Sequence, residues 1–464
     1  MARRPRAPLS RALASAKLAR MSKIDPKPKA PPAQSPRDPR YWDERDLEDE
    51  LRRAFEICHS CRMCVGFCGS FPDLFGRVDR DIETRGATGA ELLDARDFAA
   101  VTELCWQCKL CYIECPYTPD QKHAWMLDVP RLLLREKAHR AKRTGVTLQD
   151  RALGEPGRLG ELMSGALAPV SNLVNANRLL RKLNEKVLGI SRHFPVPGFA
   201  SQTFPDWLAK HEPLAGAGTA GSVAIFSTCL GDYNFPKLAI ATTLVLEKNG
   251  YRVVRPPQQC CGIPNLDGGD IDAAREKARF NVAQLWPLVE QGMRIVVPGP
   301  SCSYTMKKDW PELLGTPEAS KVAANTFEAM ELMERLRRDK TLVRDFTKGY
   351  GKVAYHSACH LRAQKIGTPG ARILGLLPDT EVEIVEKCSA VDGTWGMKAQ
   401  HYEMGRKYAQ KLTRGVEGAE ANLVVTDCAL SAQRIRQENQ VEVLHPMEAL
   451  AAAYGLQVGE EGTP

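Results

Sequence analysis

Residues 105–116 read Cys105-Trp106-Gln107-Cys108-Lys109-Leu110-Cys111-Tyr112-Ile113-Glu114-Cys115-Pro116, and the same spacing stands upstream in Cys58-x-x-Cys61-x-x-Cys64-x-x-x-Cys68. Thiols at i, i+3 and i+6 on a tight turn converge on three irons of one cube, while the fourth, four residues on, points away and serves the other cube. The spacing therefore predicts one [4Fe-4S] cluster on Cys58, Cys61, Cys64 and Cys115, and a second on Cys105, Cys108, Cys111 and Cys68. Two readings compete. Disulfides need an oxidising compartment, and structural zinc favours paired Cys-x-x-Cys without the third and fourth members. Gly69 stands where the second run has Pro116, which removes a proline stop and leaves the ligands intact.

A chain of 464 residues with 43% hydrophobic content has room for several domains with real cores. Its fifteen cysteines are odd in number and grouped at metal spacing, with no secretory signal, which points to the reducing cytoplasm. No apolar run approaches the roughly 20 residues of a membrane span. Contact with a bilayer is therefore expected to be peripheral, on its cytoplasmic face, or through a partner.

The net charge of +8 is unevenly placed: residues 1–40 hold eleven Lys and Arg against Asp25 and Asp38, a local +9 that leaves the remainder near −1. The body is not basic and carries no recognition motif, so an iron-sulfur regulator binding nucleic acid is disfavoured. Pro26, Pro28, Pro31, Pro32, Pro36 and Pro39 make residues 1–42 read as a disordered, basic and proline-rich tail. Its first twenty residues, free of acid, also resemble a transit peptide; a solvated tail or an overextended start ahead of Met21 is the plainer reading.

From Tyr41 the pattern becomes helical, and the 36 residues between Cys68 and Cys105 read as helix plus turn. A mostly helical ferredoxin-type domain is expected over residues 43–150. Residues 151–220 form an amphipathic helical linker in which Leu159, Leu162, Leu173, Leu179, Leu180, Leu183, Val187 and Leu188 recur at helical spacing, flanked by Arg178, Arg181, Lys182 and Lys186. Such a stripe is either a buried core face or a partner- or membrane-binding surface. Gly216, Gly218 and Gly221 fit the dinucleotide fingerprint but precede a strand instead of following one, so they read as a linker.

The remaining cysteines expose an internal repeat: Cys229, Cys260-Cys261-Gly262 and Cys302 in one unit, and Cys359, Cys388-Ser389-Ala390 and Cys428 in the other, at offsets of 130, 128 and 126. Each follows a predicted strand and precedes a predicted helix, which gathers the thiols at one edge of an α/β unit. Repeat 1 is placed at 221–345 and a degenerate repeat 2 at 351–455. The predicted fold class is thus α+β multidomain, with a helical two-cluster ferredoxin domain ahead of two α/β repeats.

The segments LCWQCKLCYIECPYTP, QQCCGIPNLDGG, YHSACHLR, DGTWG and VVTDC resemble the CCG-domain iron-sulfur proteins related to heterodisulfide reductase, the C subunit of anaerobic glycerol-3-phosphate dehydrogenase and the iron-sulfur component of glycolate oxidase. The resemblance covers about residues 50–455. It implies a further metal centre in the CCG repeats, flavoprotein dehydrogenase or other redox partners, and in several members membrane quinones. In the full family motif each repeat ends in Cys-x-x-Cys, whereas Gly299 and Val425 stand at the first of each pair here. Repeat 1 keeps Cys229, Cys260, Cys261 and Cys302, enough for one ordinary iron-sulfur centre. Repeat 2 keeps Cys359, Cys388 and Cys428 and would import a fourth ligand from His360, His356 or Asp427, as a zinc site, or hold no metal.

The function expected is an electron-transfer subunit of an oxidoreductase complex, relaying electrons through two [4Fe-4S] clusters to the CCG centre. The alternative is catalysis at that centre, reducing a disulfide or a quinone.

Overall fold

The computed structural model describes residues 24–391 and 393–459. The first 23 residues of the expected tail, with the transit-peptide-like segment, lie outside them. The chain divides into two compact units, through Arg143 and from Thr144.

The first unit is helical. Helix α1 (Glu44–Cys61) starts on the Asp43 carboxylate, which accepts the Asp46 N–H, and buries Leu47, Leu51, Ala54, Phe55 and Ile57. It ends at Arg62 in a left-handed conformation. Between the two cysteine runs lie α2 (Ser70–Arg85) and α3 (Ala95–Glu103), the latter opened by an Asp94–Asp97 capping box. The short α4 (Leu110–Glu114) carries Cys111, and α5 (Val129–Thr144) closes the unit.

The proline-rich stretch differs from the expectation of disorder. From Ile24 on it has defined partners: the Pro26 carbonyl accepts from Arg53, Ala33 and Tyr41 are buried, and Trp42 Nε1 donates to the Pro36 carbonyl at 3.0 Å. Arg135, 1% exposed, donates to the Tyr41 carbonyl at 2.7 Å and pairs with Asp46 at 2.8 Å. Buried guanidinium donors supply what the segment's few apolar residues cannot.

The second unit opens with a short helix over Leu148–Leu153, followed by α6 (Pro156–Met163), α7 (Ala168–Ala176) and α8 (Arg178–Leu188), then builds two copies of one fold. The first copy has β1 (Ser222–Ile225), α9 (Cys229–Tyr233), α10 (Pro236–Lys248), β2 (Arg252–Val254), α11 (Ile271–Glu290), β3 (Arg294–Val297), β4 (Thr326–Glu328) and α12 (Ala329–Arg338). The second has β5 (Gly351–His356), α13 (Pro369–Leu374), β6 (Thr380–Val385), α14 (Tyr402–Gly418), β7 (Leu423–Thr426), α15 (Ala429–Asn439), β8 (Val443–Leu444) and α16 (Pro446–Ala453). Both sheets are wholly parallel, with orders β2-β1-β3-β4 and β6-β5-β7-β8. Parallel strands need covering on both faces, which accounts for near-continuous apolar runs such as Ile295–Val297 and Val424–Val425.

The repeats pack reciprocally. Helix α10 of the first lies on α16 of the second, and α12 of the first on α13 of the second. Val245, Leu246, Met333 and Leu336 thereby share one core with Leu374, Leu450 and Tyr454. This is the self-complementary contact of a two-fold dimer, made within one chain. The glycines 216–221 form a turn whose Gly218 and Ala220 N–H groups donate to the Gly250 carbonyl, ahead of β1. No helix among the described residues is long and apolar enough to cross a membrane.

Candidate functional site

In the first unit, Cys58 and Cys61 occupy the last turn of α1, and Cys64 and Cys68 follow in the loop to α2. Cys105 and Cys108 lie in the loop before α4, with Cys111 on it and Cys115 at its end. The thiols face one another closely enough to raise each other's pKa. After burial, Cys58 is pushed up by Cys64, Cys115 and Cys61. Cys64 is pushed up to about 12 by burial, then Cys115 and Cys61. Cys115 reaches about 11 through burial and Cys61, although the Tyr117 N–H favours its thiolate. Cys111 is raised by burial and then by Cys105, Cys64, Cys68 and Cys58. Cys115, the fourth thiol of the second run, thus lies beside Cys58, Cys61 and Cys64 of the first, and Cys68, the fourth of the first, lies beside Cys111. Crowded thiols that resist ionising together are a donor set suited to a group whose irons take up that charge.

In the second unit the four thiols of repeat 1 form a chain. Cys260 lies between Cys229 and Cys261, whose S–H groups hydrogen-bond to it, and Cys261 also bonds Cys302. Cys260 is held well below the usual thiol range by Cys229, then Cys261, with the Gly262 N–H and Lys277 adding to them against burial. Cys229 and Cys261 are pushed up correspondingly. No disulfide joins any of the cysteines.

The backbone holding these thiols is clamped. Asn281 of α11, wholly buried, accepts the Gln259 N–H at 2.8 Å and donates to the Cys260 carbonyl at 3.2 Å. Trp310 Nε1 donates to the Cys261 carbonyl at 2.9 Å. Lys277 is tied to Gly154, Glu155 and Asn265 at 2.7–2.9 Å. Thr228, with φ +69, turns the chain into Cys229, and a β-branched residue there carries on the order of 1–3 kcal/mol of strain.

These thiols lie in a cavity of about 1280 Å³. Much of its apolar wall comes from α6–α8 and the loop after them, including Leu159, Leu162, Val170, Val174 and Phe199, and the repeats add Leu230, Ile263 and Leu430. The expected linker is therefore part of the site. Gly157 of α6 lies over the cysteines: a Cβ there would sit 3.7 Å from the Cys260 nitrogen and 3.8 Å from Cys229 Cβ. Most of the leucine stripe faces outward, with Leu173 72% and Leu179 73% exposed. Arg178, Lys182 and Lys186 are exposed on α8, whereas Arg181 turns inward and donates to the Ser191 and Phe194 carbonyls at 2.7 Å.

Repeat 2 is built differently. Ser389, in place of the second adjacent cysteine, bonds Ser431 at 2.9 Å, and Ser431 bonds the Cys428 thiol. Cys388 Sγ accepts from the Ala390 N–H at 3.2 Å, and Cys359 opens the one-turn helix that ends at Ala363. His360, expected as an imported ligand, is 3% exposed, bonds Ser301 at 2.8 Å and stacks on Tyr304, which places it against the Cys302 loop of repeat 1. His356 has both ring nitrogens engaged, by Thr426 Oγ1 at 2.8 Å and the Lys387 carbonyl at 2.9 Å, and burial lowers it to about 4. Of the two positions lacking the motif's cysteine, Gly299 lines the cavity and Val425 is packed in the shared core.

One cluster escaped the sequence reading. Glu328, Asp427 and His445 meet at the carboxyl ends of β4, β7 and β8 with ligand atoms within 4.8 Å of one another, all buried. His445 Nδ1 accepts the Met447 N–H, whereas its Nε2, Asp427 Oδ1 and Glu328 Oε1 are buried with no hydrogen-bond partner among the described residues. Burial raises Asp427 to about 7 and, with Asp427 facing it, raises Glu328 well above its usual range.

Residues 51–144 match the family described as the citrate utilization protein B Fer4-like domain, and residues 223–307 and 353–430 each match the cysteine-rich domain abbreviated CCG. The chain thus carries a Fer4-like domain ahead of two CCG cysteine-rich domains. It is similar to the C subunit of anaerobic glycerol-3-phosphate dehydrogenase from Escherichia coli K12, 26% identical over 63% of this chain and 74% of that one. It is also similar to the B subunit of fumarate reductase (CoM/CoB) from Methanothermobacter marburgensis, 26% identical over 52% of this chain and 48% of that one. Lactate utilization protein A of Geobacillus kaustophilus is 27% identical over 50% of this chain and 98% of its own length. Helices α6–α8 lie between the matched segments, so part of the cavity wall comes from outside both domain families, while Leu230, Ile263 and Leu430 of the CCG segments line another part.

Proposed function

We propose that the protein is an iron-sulfur electron-transfer subunit of an oxidoreductase complex. It would hold [4Fe-4S] clusters on Cys58, Cys61, Cys64 and Cys115 and on Cys105, Cys108, Cys111 and Cys68, and a third iron-sulfur centre on Cys229, Cys260, Cys261 and Cys302. The observation that carries this reading is the contiguous thiol chain of repeat 1 at a cavity. When bound, such centres supply one-electron transfer at potentials set by charge, hydrogen bonds to sulfur and exposure. The protein's own part is to hold the thiols. Asn281 and Trp310 fix the carbonyls of the vicinal pair, and Lys277 offsets its negative charge. Repeat 2, with its Ser389–Ser431–Cys428 network, would carry zinc or no metal.

The names of the relatives support a dehydrogenase or other redox partner for this chain. The apolar cavity wall favours a second reading, in which the repeat 1 centre reduces its final acceptor there and a lipophilic quinone fits better than a charged disulfide. Outward-facing leucines beside Arg178, Lys182 and Lys186 support peripheral docking on an anionic membrane face from which that acceptor would enter. Anaerobic reconstitution tests the main reading, and Cys261→Ser separates the two. Loss of quinone turnover with the ferredoxin-type signals intact supports catalysis at repeat 1, and unchanged turnover rejects it.

A further inference from the structure

Two residues in the second cysteine run have left-handed backbones, one of them, Lys109, at the position matched by Arg62 (φ +53) in the first. Gln107 and Lys109 flank Cys108 at φ +56 and +63, the left-handed region that non-glycine residues avoid, and both are buried. Their side chains form a relay. Lys109 Nζ donates to Gln107 Oε1 at 2.5 Å. Gln107 Nε2 in turn donates to Cys105 Sγ at 3.5 Å and to the Pro130 carbonyl at 3.1 Å, while its backbone N–H donates to the same sulfur at 3.4 Å. The amide is oriented with its oxygen on the cation and its N–H on the sulfur, so each bond polarises the other, and burial strengthens both.

The first run has no such device at the matching positions. Ser60 is exposed, and Arg62 is exposed and paired with Asp79. Sulfur there receives the Tyr117 hydroxyl, at Cys61, and the Tyr117 N–H, at Cys115.

We propose that Lys109 and Gln107 are positioning residues that selectively raise the reduction potential of the cluster held by Cys105. Reduction adds one electron to a thiolate-bound cluster, and a cation relayed onto a ligand sulfur stabilises the added charge. The inference rests on the cluster assignment proposed above. It goes beyond that assignment by making the two clusters unequal through residues that are not ligands.

The test is a redox titration of the full, anaerobically reconstituted chain followed by electron paramagnetic resonance. Lys109→Met and Gln107→Leu are each expected to lower the reduced-to-oxidised ratio of one cluster at least tenfold at a fixed potential, a shift of about 59 mV for one electron. The other cluster stays in place. Lys109→Arg retains the charge and is expected to retain most of the potential, and Arg62→Met is expected to change neither cluster. Iron content and line shapes equal to wild type separate tuning from misfolding. Equal movement of both clusters, or movement of neither with iron intact, overturns the relay, whereas a wild-type chain that takes up no iron overturns the cluster assignment itself.

Discussion

Gly157 lies directly against Cys229, with its missing Cβ 3.8 Å from that residue's Cβ. Helix α6 therefore covers Cys229 and Cys260 with room for one methyl group between. A methyl group at 157 makes ordinary van der Waals contact, so Gly157→Ala is expected to be nearly neutral. Gly157→Leu pushes into the cavity floor and is expected to slow transfer to an added acceptor at least tenfold, with iron content unchanged. Steady-state rates beside iron assay of the same samples check this, and equal rates for the two variants would contradict it.

Gly160, one turn on, meets a harder limit. A Cβ there would lie 2.6–2.8 Å from three atoms of Tyr233, so α6 must lift or the ring must move. Gly160→Ala is expected to destabilise the second unit by about 1–3 kcal/mol, the range for overpacked contacts. Thermal denaturation would show it as a lowered midpoint.

Asn281 has a chemical role reached through the backbone. Its side chain bonds Gln259 and Cys260, and replacement by leucine leaves those backbone groups buried and unmatched. Asn281→Leu is expected to lose the repeat 1 centre while both ferredoxin-type clusters persist. Iron per chain falls and the spectroscopic signals of the first unit remain.

A carboxylate joins the two repeats. Glu334 of α12 accepts from Arg337 at 2.7 Å, Arg338 at 3.1 Å and Arg372 of α13 at 3.0 Å, and these partners, Arg337 first, hold it near 2 against its ordinary 4.5. A depressed acid contributes stability above its unfolded value, and that contribution is lost as pH falls through the folded one. Wild type is therefore expected to lose stability between about pH 4.5 and 2 more steeply than Glu334→Gln, the two converging at the acid end. Urea midpoints across that range measure it.

Much of the architecture was legible because its signals are local. The helix bounds Pro236–Lys248 and Ile271–Glu290 follow from apolar periodicity and from caps such as Asp270. The parallel strands follow from short apolar runs ahead of each cysteine. What stayed hidden depends on distant contacts. Strands β4 and β8 are three and two residues long, too short for a pattern, and they carry Glu328 and His445 into the acid cluster. The role of α6–α8 was half legible: the stripe was visible, but which leucines face the cavity and which face outward depends on Gly157 and Gly160 seating α6 on α9. Sequence offers His356 as a ligand, but Thr426 and the Lys387 carbonyl, both distant along the chain, engage its two ring nitrogens. The order in the proline-rich segment was hidden because its partners, Arg53 and Arg135, stand far along the chain.

Iron per chain after anaerobic reconstitution, in wild type and in Cys261→Ser, tests the central claim most directly. The account predicts about eight iron atoms from the two ferredoxin-type clusters in both proteins, with additional iron in wild type that the variant lacks. Zinc without iron, or identical iron in the two, would contradict it.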